Sequence, residues 1–322
     1  METFVVDEAA LELRTWVCVA GVAVRVSTNS ESVLRSFRTR KFLQQPDAAF
    51  SINVAVRTGA RSKYATPYFR GMAHLVFMEF GPDDVFVIDL LRRRIDGIVK
   101  EQLATDINFW NKLFVPICMG VLGPTVGVIP VHSACLIHNS TGLLLAGQSG
   151  SGKSTLAVAL AREGLGFISD DWTYVTHAAD GLVAHGLRAP IKLLPGSDRY
   201  FPELRGRSPE TSLNGELAFE VCSCDLGFSY EDTCYPKHIV FVERTPGSSV
   251  DLEPLEREQV LAYFTSSIER LPEELMAVAE TRETILRRVA DLPGYVFRYG
   301  GSPRDGARGL IDQLTICKEV LR

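Results

Sequence analysis

Apolar and polar positions alternate through most of the first 120 residues, so that part of the chain reads as strands. Residues 15–26 (TWVCVAGVAVRV) are rich in Val and interrupted at Gly21, which suits two strands joined by a tight turn. Residues 50–56 (FSINVAV) set Ser51, Asn53 and Ala55 opposite their larger neighbours. Residues 74–80 and 84–91 flank a Gly-Pro-Asp-Asp turn and predict a hairpin. Arg92, Arg93 and Arg94 precede a further apolar stretch and read as a solvated face. Over residues 105–122 the period changes. Ile107, Trp110, Leu113, Phe114 and Ile117 recur at helical spacing, with a break expected at Pro116.

The second part alternates strands with helices. A strand is predicted over residues 131–138 (VHSACLIH), a turn over 139–142 and a second strand over 143–146 (LLLA), which runs into a glycine-rich loop. A helix follows over 155–162, with Gly164 as its C-cap glycine, then a short strand over 167–169 that ends in Asp170 and Asp171. Strands at 181–184 and 237–242, a charged helical region over 256–290, a strand at 295–299 and a helix over 307–321 complete the pattern. Residues 202–214 are polar and turn-rich and predict a mobile loop near the active site. The fold class expected is α/β: a β-rich N-terminal domain over 1–125, then a phosphate-loop core over 126–322 with a mixed sheet and C-terminal helices.

Composition narrows the function classes. At 46% hydrophobic and 23% charged residues the chain is an ordinary globular one. Its 34 basic against 39 acidic residues, net −5 and without a long basic run, argue against nucleic acid as the main partner. No uninterrupted apolar run reaches the ~18 residues of a membrane span, and the first residues do not have the order of a secretory signal, so a cytoplasmic location is expected. The seven cysteines, at 18, 118, 135, 222, 224, 234 and 317, are odd in number and irregular in spacing, which suggests reduced thiols. Cys222, Cys224 and Cys234 with His238 could supply four zinc ligands. C-x-C is a poorer zinc knuckle than C-x-x-C, however, and the segment also reads as loop leading into a strand, so plain cysteines are favoured.

Residues 147–154 read GQSGSGKS, a full G-x-x-x-x-G-K-[ST] match after an apolar strand and before a helix. The residue types follow from the chemistry. Gly147, Gly150 and Gly152 let the backbone close around phosphate oxygens, and the helix that starts near Ser154 adds its dipole. Lys153 supplies a cation to the β/γ phosphates and the Ser154 hydroxyl a Mg²⁺ ligand. Gln148, Ser149, Ser151 and Thr155 complete the expected nucleotide contacts, with ATP and Mg²⁺ as the cofactors. Asp170 and Asp171 follow Lys153 by 17 and 18 residues. Acids that close suit a kinase, in which one carboxylate holds Mg²⁺ and the other takes the acceptor's hydroxyl proton. Transporter ATPases share only the loop letters, since their S-G-G-Q-like signature is absent.

Residues 131–175 resemble the catalytic domain of HPr kinase/phosphorylase, in the phosphoenolpyruvate-carboxykinase-like group of phosphate-loop proteins. The resemblance rests on the histidine-bearing strand VHSACLI, the hairpin, LLLAGQSGSGKS, Gly164 eleven residues after the lysine, and the strand ending ISDDW. It implies nucleotide phosphates at residues 147–154, Mg²⁺ at Ser154 and Asp171, a general base at Asp170, and His132 beside the transferring phosphate. The family's second signature, E-[IV]-R-G-x-G, is absent, and RAPIKLLPGSDRYFPEL stands in its place, which implies a different acceptor. That acceptor is a hydroxyl on a peptide, a protein or a small molecule. Lys192, Arg199 and Arg244 are candidates to meet an anionic acceptor or the transferring phosphate, whereas His138 has no such support. Family members form hexamers, so a homo-oligomer is implied, although the C-terminal element behind it is not recognisable here. Two other functions fit the loop: a shikimate-type small-molecule kinase, and a nucleotide-sensing module that docks a partner.

Overall fold

A computed structural model describes residues 6–38, 40–44, 47–59, 67–138, 141–212, 215–267 and 276–320 of the 322-residue chain. The turn expected over 139–142 therefore lies partly outside the described residues, as does the middle of the helical region expected over 256–290. The chain divides into two units, residues 1–128 with 270–282, and residues 129–269 with 283–322.

The first unit is built on a seven-stranded sheet. Strands β1 (Leu13–Val19) and β2 (Val22–Thr28) form the hairpin that Gly21 predicts. Its two turn residues, Ala20 and Gly21, have φ of 47° and 83°, the left-handed pair that a tight two-residue turn requires. After α1 (Glu31–Phe37), β3 (Phe50–Arg57) runs parallel to β2. Strands β4 (Tyr68–Met72), β5 (Leu75–Glu79), β6 (Val85–Asp89) and β7 (Arg94–Lys100) give the order β1-β2-β3-β7-β6-β5-β4. Of the three consecutive arginines, Arg92 and Arg93 are exposed. Arg94 instead pairs with Asp96 at 2.6 Å and with Glu8.

A four-residue helix, α2 (Glu101–Ala104), then leads to a π-helical stretch, Phe109–Phe114, continuous with α3 (Val115–Leu122). Pro116 does not break this run as the sequence suggested. It is the second residue of α3, directly after the π-helical stretch, and the helical run continues through it. The helical stretch Phe109–Val126 is also long and apolar enough to cross a membrane, at mean hydropathy 1.2, which the letter-by-letter count of apolar runs did not register. Its Trp110, Phe114, Met119 and Leu122 are buried, and Trp110 and Phe114 join Phe37, Phe86 and Phe109 in one aromatic cluster.

The second unit starts with β8 (Ile129–His132), β9 (Ala134–His138) and β10 (Thr141–Ala146), followed by α4 (Lys153–Arg162). Next come β11 (Gly166–Ser169), β12 (Trp172–Ala178), β13 (Gly181–His185) and β14 (Ile191–Leu193). The remaining elements are β15 (Glu210–Thr211), β16 (Leu217–Val221), β17 (Thr233–Cys234), β18 (Pro236–Arg244), β19 (Val250–Leu255), α5 (Arg257–Ser266), α6 (Met276–Ala290, of which residues 283–290 belong to this unit), β20 (Gly294–Tyr299) and α7 (Pro303–Val320). The main sheet is mixed, in the order β11-β9-β10-β18-β20-β19, with β10, β18 and β20 parallel at its centre. Alternation along β10 divides the core. Leu143 and Leu145 pack with α4 and α7, while Leu144 and Ala146 pack with α5 and the C-terminal part of α6.

Two sequence expectations change here. The single strand expected over 131–138 is two strands in two sheets, broken at Ser133: β8 joins β17-β13-β12-β8 and β9 joins the main sheet. The segment read as a mobile loop is also held. Its Leu204 is buried, β15 pairs with β16, and Arg207 pairs with Asp225, while residues 213 and 214 lie outside the description. The cysteines are spread apart as well. Cys234 is buried with its Sγ 3.4 Å from that of Cys135, whereas Cys222 and Cys224 are exposed. Among the described residues no three His, Cys, Asp or Glu side chains gather as a metal site.

Candidate active site

The glycine-rich loop leaves the buried end of β10 and enters α4. Gly147, Gly150 and Gly152 have φ of 139°, 78° and 92°, values that side-chain-bearing residues rarely adopt. At Gly147 a Cβ would also stand 2.8 Å from Ser151 Oγ and 3.0 Å from the Val242 carbonyl. The loop is pinned from α5. Tyr263 donates its hydroxyl to the Gly147 carbonyl at 2.6 Å, and the Gly147 N–H donates back to the Tyr263 hydroxyl oxygen at 3.2 Å. Lys153, only 7% exposed, curls back and donates its ammonium to the carbonyls of Gly147 and Gln148 at 2.8 and 3.1 Å. Burial lowers its pKa, and the nearby charges of Asp171 and Asp170 pull the other way.

A cavity of about 340 Å³ opens beside this loop, within the second unit. The two aspartates on its wall differ sharply. Asp170 turns inward: its Oδ2 accepts the Lys192 N–H at 3.0 Å, and its Oδ1 is out of solvent with no partner. Burial pushes its pKa up to about 6, against the lowering influence of the nearby Ser154 hydroxyl, with the charge of Asp171 adding to the rise. Asp171 turns outward, its side chain 52% exposed, and meets His132 Nε2 at 3.0 Å. Burial would raise its pKa, but the His132 bond and the charges of His132, Lys153 and Lys192 outweigh that and hold it below the ordinary carboxylate value. The His132 ring in turn stacks on Trp172, with centroids 5.2 Å apart and planes at 30°.

Of the residues singled out in the sequence, His132, Ser149, Gly150, Gly152, Lys153, Ser154, Thr155, Asp170 and Asp171 all line the cavity. So do the three candidate cations. Lys192 lies on β14, Arg199 covers the Tyr200 ring at 4.5 Å, and Arg244 covers the Tyr299 ring at 4.4 Å while donating to the Gly301 carbonyl at 2.9 Å. Gly147, Gln148 and Ser151 form the base of the loop instead, and His138, at the opposite end of β9, is not in the lining. Sequence reasoning missed Tyr263, Tyr299 and Glu216. Tyr263 reaches the loop from 116 residues away, and no local pattern marks a tyrosine for that role.

The donor set fits a hard divalent cation. Asp170 has an orphaned carboxylate oxygen and lines the same cavity as the Ser154 hydroxyl, with a second carboxylate adjacent; all are the oxygen ligands that Mg²⁺ prefers.

No family model matches the sequence, and no curated protein does. Among solved structures the chain is similar to the Hpr(Ser) kinase/phosphatase from Coxiella burnetii, at 12% identity and a TM-score of 0.32, over 59% of this chain and 90% of that one. A likeness that loose carries no functional weight, so the cavity's own geometry has to.

Proposed function

We propose that the second unit is an ATP-dependent phosphotransferase that moves the γ-phosphoryl group to a hydroxyl of a peptide, a protein or a small molecule. One observation carries this reading. A single cavity gathers the glycine loop with Lys153, a buried carboxylate with an unpartnered oxygen beside the loop's Ser154, and a second carboxylate bonded to a histidine. The first group suits phosphate binding, the second a metal, and the third proton transfer.

The geometry favours exchanging the roles that the resemblance implies for the two aspartates. Asp170 is withdrawn, lines the cavity beside Ser154 and is short of one partner, as a metal ligand beside the loop would be. Ser154 and Asp170 would therefore hold Mg²⁺, which when bound neutralises phosphate charge. Asp171 is exposed on the cavity side and already ionised by its surroundings, so it is free to take the acceptor's proton. His132, stacked on Trp172, holds that carboxylate in place. Lys153 needs only to leave two neutral carbonyls for phosphate oxygens, which attract an ammonium more strongly.

Turnover of ATP, with and without candidate hydroxyl acceptors, across a Mg²⁺ titration tests the assignment. Asp171→Asn lowers transfer by roughly 10²–10⁴ with an unchanged Mg²⁺ midpoint. Asp170→Asn raises the Mg²⁺ requirement. The opposite pattern would return the base to Asp170. Tight ATP binding with no turnover under any acceptor would make the unit a nucleotide sensor.

A further inference from the structure

His132 and the Asp170–Asp171 pair sit where two neighbouring chain segments both change sheets. Strand β9 pairs with β11 in the main sheet, and β8 pairs with β12 in the second sheet, with Trp172 opposite His132 and Thr173 opposite Val131. One segment passes from β8 to β9 at Ser133, and the other from β11 to β12 at Asp170 and Asp171. A ladder of backbone bonds cannot continue through such a crossing, and three buried hydroxyls occupy the gap. Ser133 and Thr173 are 0% exposed and Ser169 is 2% exposed.

The bonds among them have a direction. Thr173 Oγ1 donates to the Ser133 carbonyl at 2.8 Å, which uses its one hydrogen. Ser169 Oγ, 2.7 Å away, must then be the donor to Thr173 Oγ1. The Ser133 hydroxyl donates to the same oxygen at 3.4 Å. Each of the three is next to, or one residue removed from, a proposed site residue: Ser133 follows His132, Ser169 precedes Asp170, and Thr173 lies two beyond Asp171.

We infer that Thr173 is a positioning residue: its hydroxyl latches the two sheet crossings together and so sets His132 against Asp171. The inference rests on the function proposed above. It adds to that function a group that touches neither nucleotide nor acceptor.

Thr173→Val keeps the shape and removes the latch, and Thr173→Ser restores the hydroxyl without the methyl. ATP with Mg²⁺ is the probe, inorganic phosphate released to water is the product, and ATP affinity is measured alongside. In Thr173→Val the turnover number falls by ~10-fold or more, the loss expected when a reacting group is misplaced by a fraction of an ångström, while ATP affinity stays within about twofold. Thr173→Ser recovers the turnover number. The His132 ring resonances in the nucleotide-free protein move in Thr173→Val and return in Thr173→Ser. Because this last readout needs no activity, it separates failure of the latch from failure of the kinase reading. If wild-type protein turns over no ATP yet the ring resonances follow the hydroxyl, the latch stands without the kinase. Ser169→Ala, which removes one donor and leaves Thr173 bonded to Ser133, serves where Thr173→Val does not fold; it shifts the same resonances by less. Wild-type turnover and unmoved His132 resonances in Thr173→Val would overturn the inference. So would a Thr173→Ser variant as impaired as Thr173→Val, because the methyl and not the hydroxyl would then matter.

Discussion

Asp84 in the first unit and Asp170 in the second are both withdrawn from water, and their surroundings differ in kind. Asp84 is 0% exposed and accepts the Lys100 N–H at 2.9 Å, tying the start of β6 to the end of β7. Nearby Asp96 is treated likewise: Asn53 donates to it at 2.9 Å and Arg94 at 2.6 Å. These carboxylates spend their oxygens on their own unit. Asp170 accepts the Lys192 N–H but keeps Oδ1 unpaired, next to a cavity. Leaving a buried acceptor unmade costs about 1–3 kcal/mol, and a fold that bears this cost beside an open site holds the oxygen ready for a ligand.

The glycines repeat the contrast. Gly97 in β7 is extended backbone, and what it provides is room: a Cβ there would stand 2.3 Å from the Phe86 ring. Gly150 has open space around it, and what it provides is a left-handed φ. One glycine serves a core, the other a loop that must present its backbone.

The largest expected effect is at Lys153. Lys153→Ala removes the buried ammonium that the loop holds in reserve, weakens ATP binding and lowers transfer by at least ~10². Calorimetric titration with ATP and a radiolabel transfer assay measure both. The first unit is untouched by this change, so an equal loss on replacing a first-unit cation such as Arg94 would erase the contrast between the units.

The second effect is on stability, and its sign follows from Asp170. Its pKa of about 6 in the folded chain lies above the ordinary aspartate value of 3.8. Between those values the unfolded chain has already lost the proton that the folded chain keeps. Stability therefore falls as pH rises through that window, and the full penalty, on the order of 3 kcal/mol, is present above pH 6. Asp170→Asn cannot ionise. It should match wild type near pH 4 and exceed it near pH 7 in urea unfolding without nucleotide. Added Mg²⁺ should narrow the gap by stabilising wild type alone. A pH-independent difference between the two proteins would mean that Asp170 is not desolvated in solution.

How much of this was legible in the letters depends on the range over which each feature is encoded. The strand–loop–helix around Lys153 was legible because three glycines and a lysine at fixed spacing have one good use after an apolar strand. The family resemblance implied His132 beside the transferring phosphate and Asp171 at the metal; that the two side chains meet was not legible, since 39 residues separate them and the contact depends on two sheets meeting. The break at Ser133 was not legible. Within VHSACLIH Ser133 is the only interior turn signal and a weak one, so only the pairing partners β11 and β12 reveal that the segment serves two sheets. Pro116 misled because the helix takes π-helical form over Phe109–Phe114 just before it, and the sequence does not mark that change of hydrogen-bond pattern. Tyr263 had no local signal at all.

Gly97→Ala sharpens the comparison from the other side. The Cβ would meet Phe86, which is itself packed against Phe80, Phe109, Trp110 and Phe114, so the ring has little freedom to move. Overpacking of this kind costs about 1–3 kcal/mol. Thermal unfolding should register the loss, while ATP affinity of the folded protein stays unchanged. A drop in affinity would mean that the first unit's core supports the site.

The smallest effect expected is at Tyr263, and it tests whether the loop is held in shape before any ligand arrives. Tyr263→Phe keeps the ring against Phe241 and Phe264 and removes only the hydroxyl. The Gly147 carbonyl then keeps Lys153 as its donor, and the Gly147 N–H loses its acceptor. A net hydrogen bond is worth about 0.5–1.5 kcal/mol, so ATP affinity should fall by roughly two- to tenfold if the bond preorganises the loop. The hydroxyl does not touch the reacting groups, so the turnover number at saturating ATP should hold. Loss of turnover with affinity intact would place Tyr263 among the reacting groups. No change in either would mean that the three glycines and Lys153 shape the loop unaided, and that the tie from α5 belongs with Asp84 and Asp96 as a bond made for the fold alone.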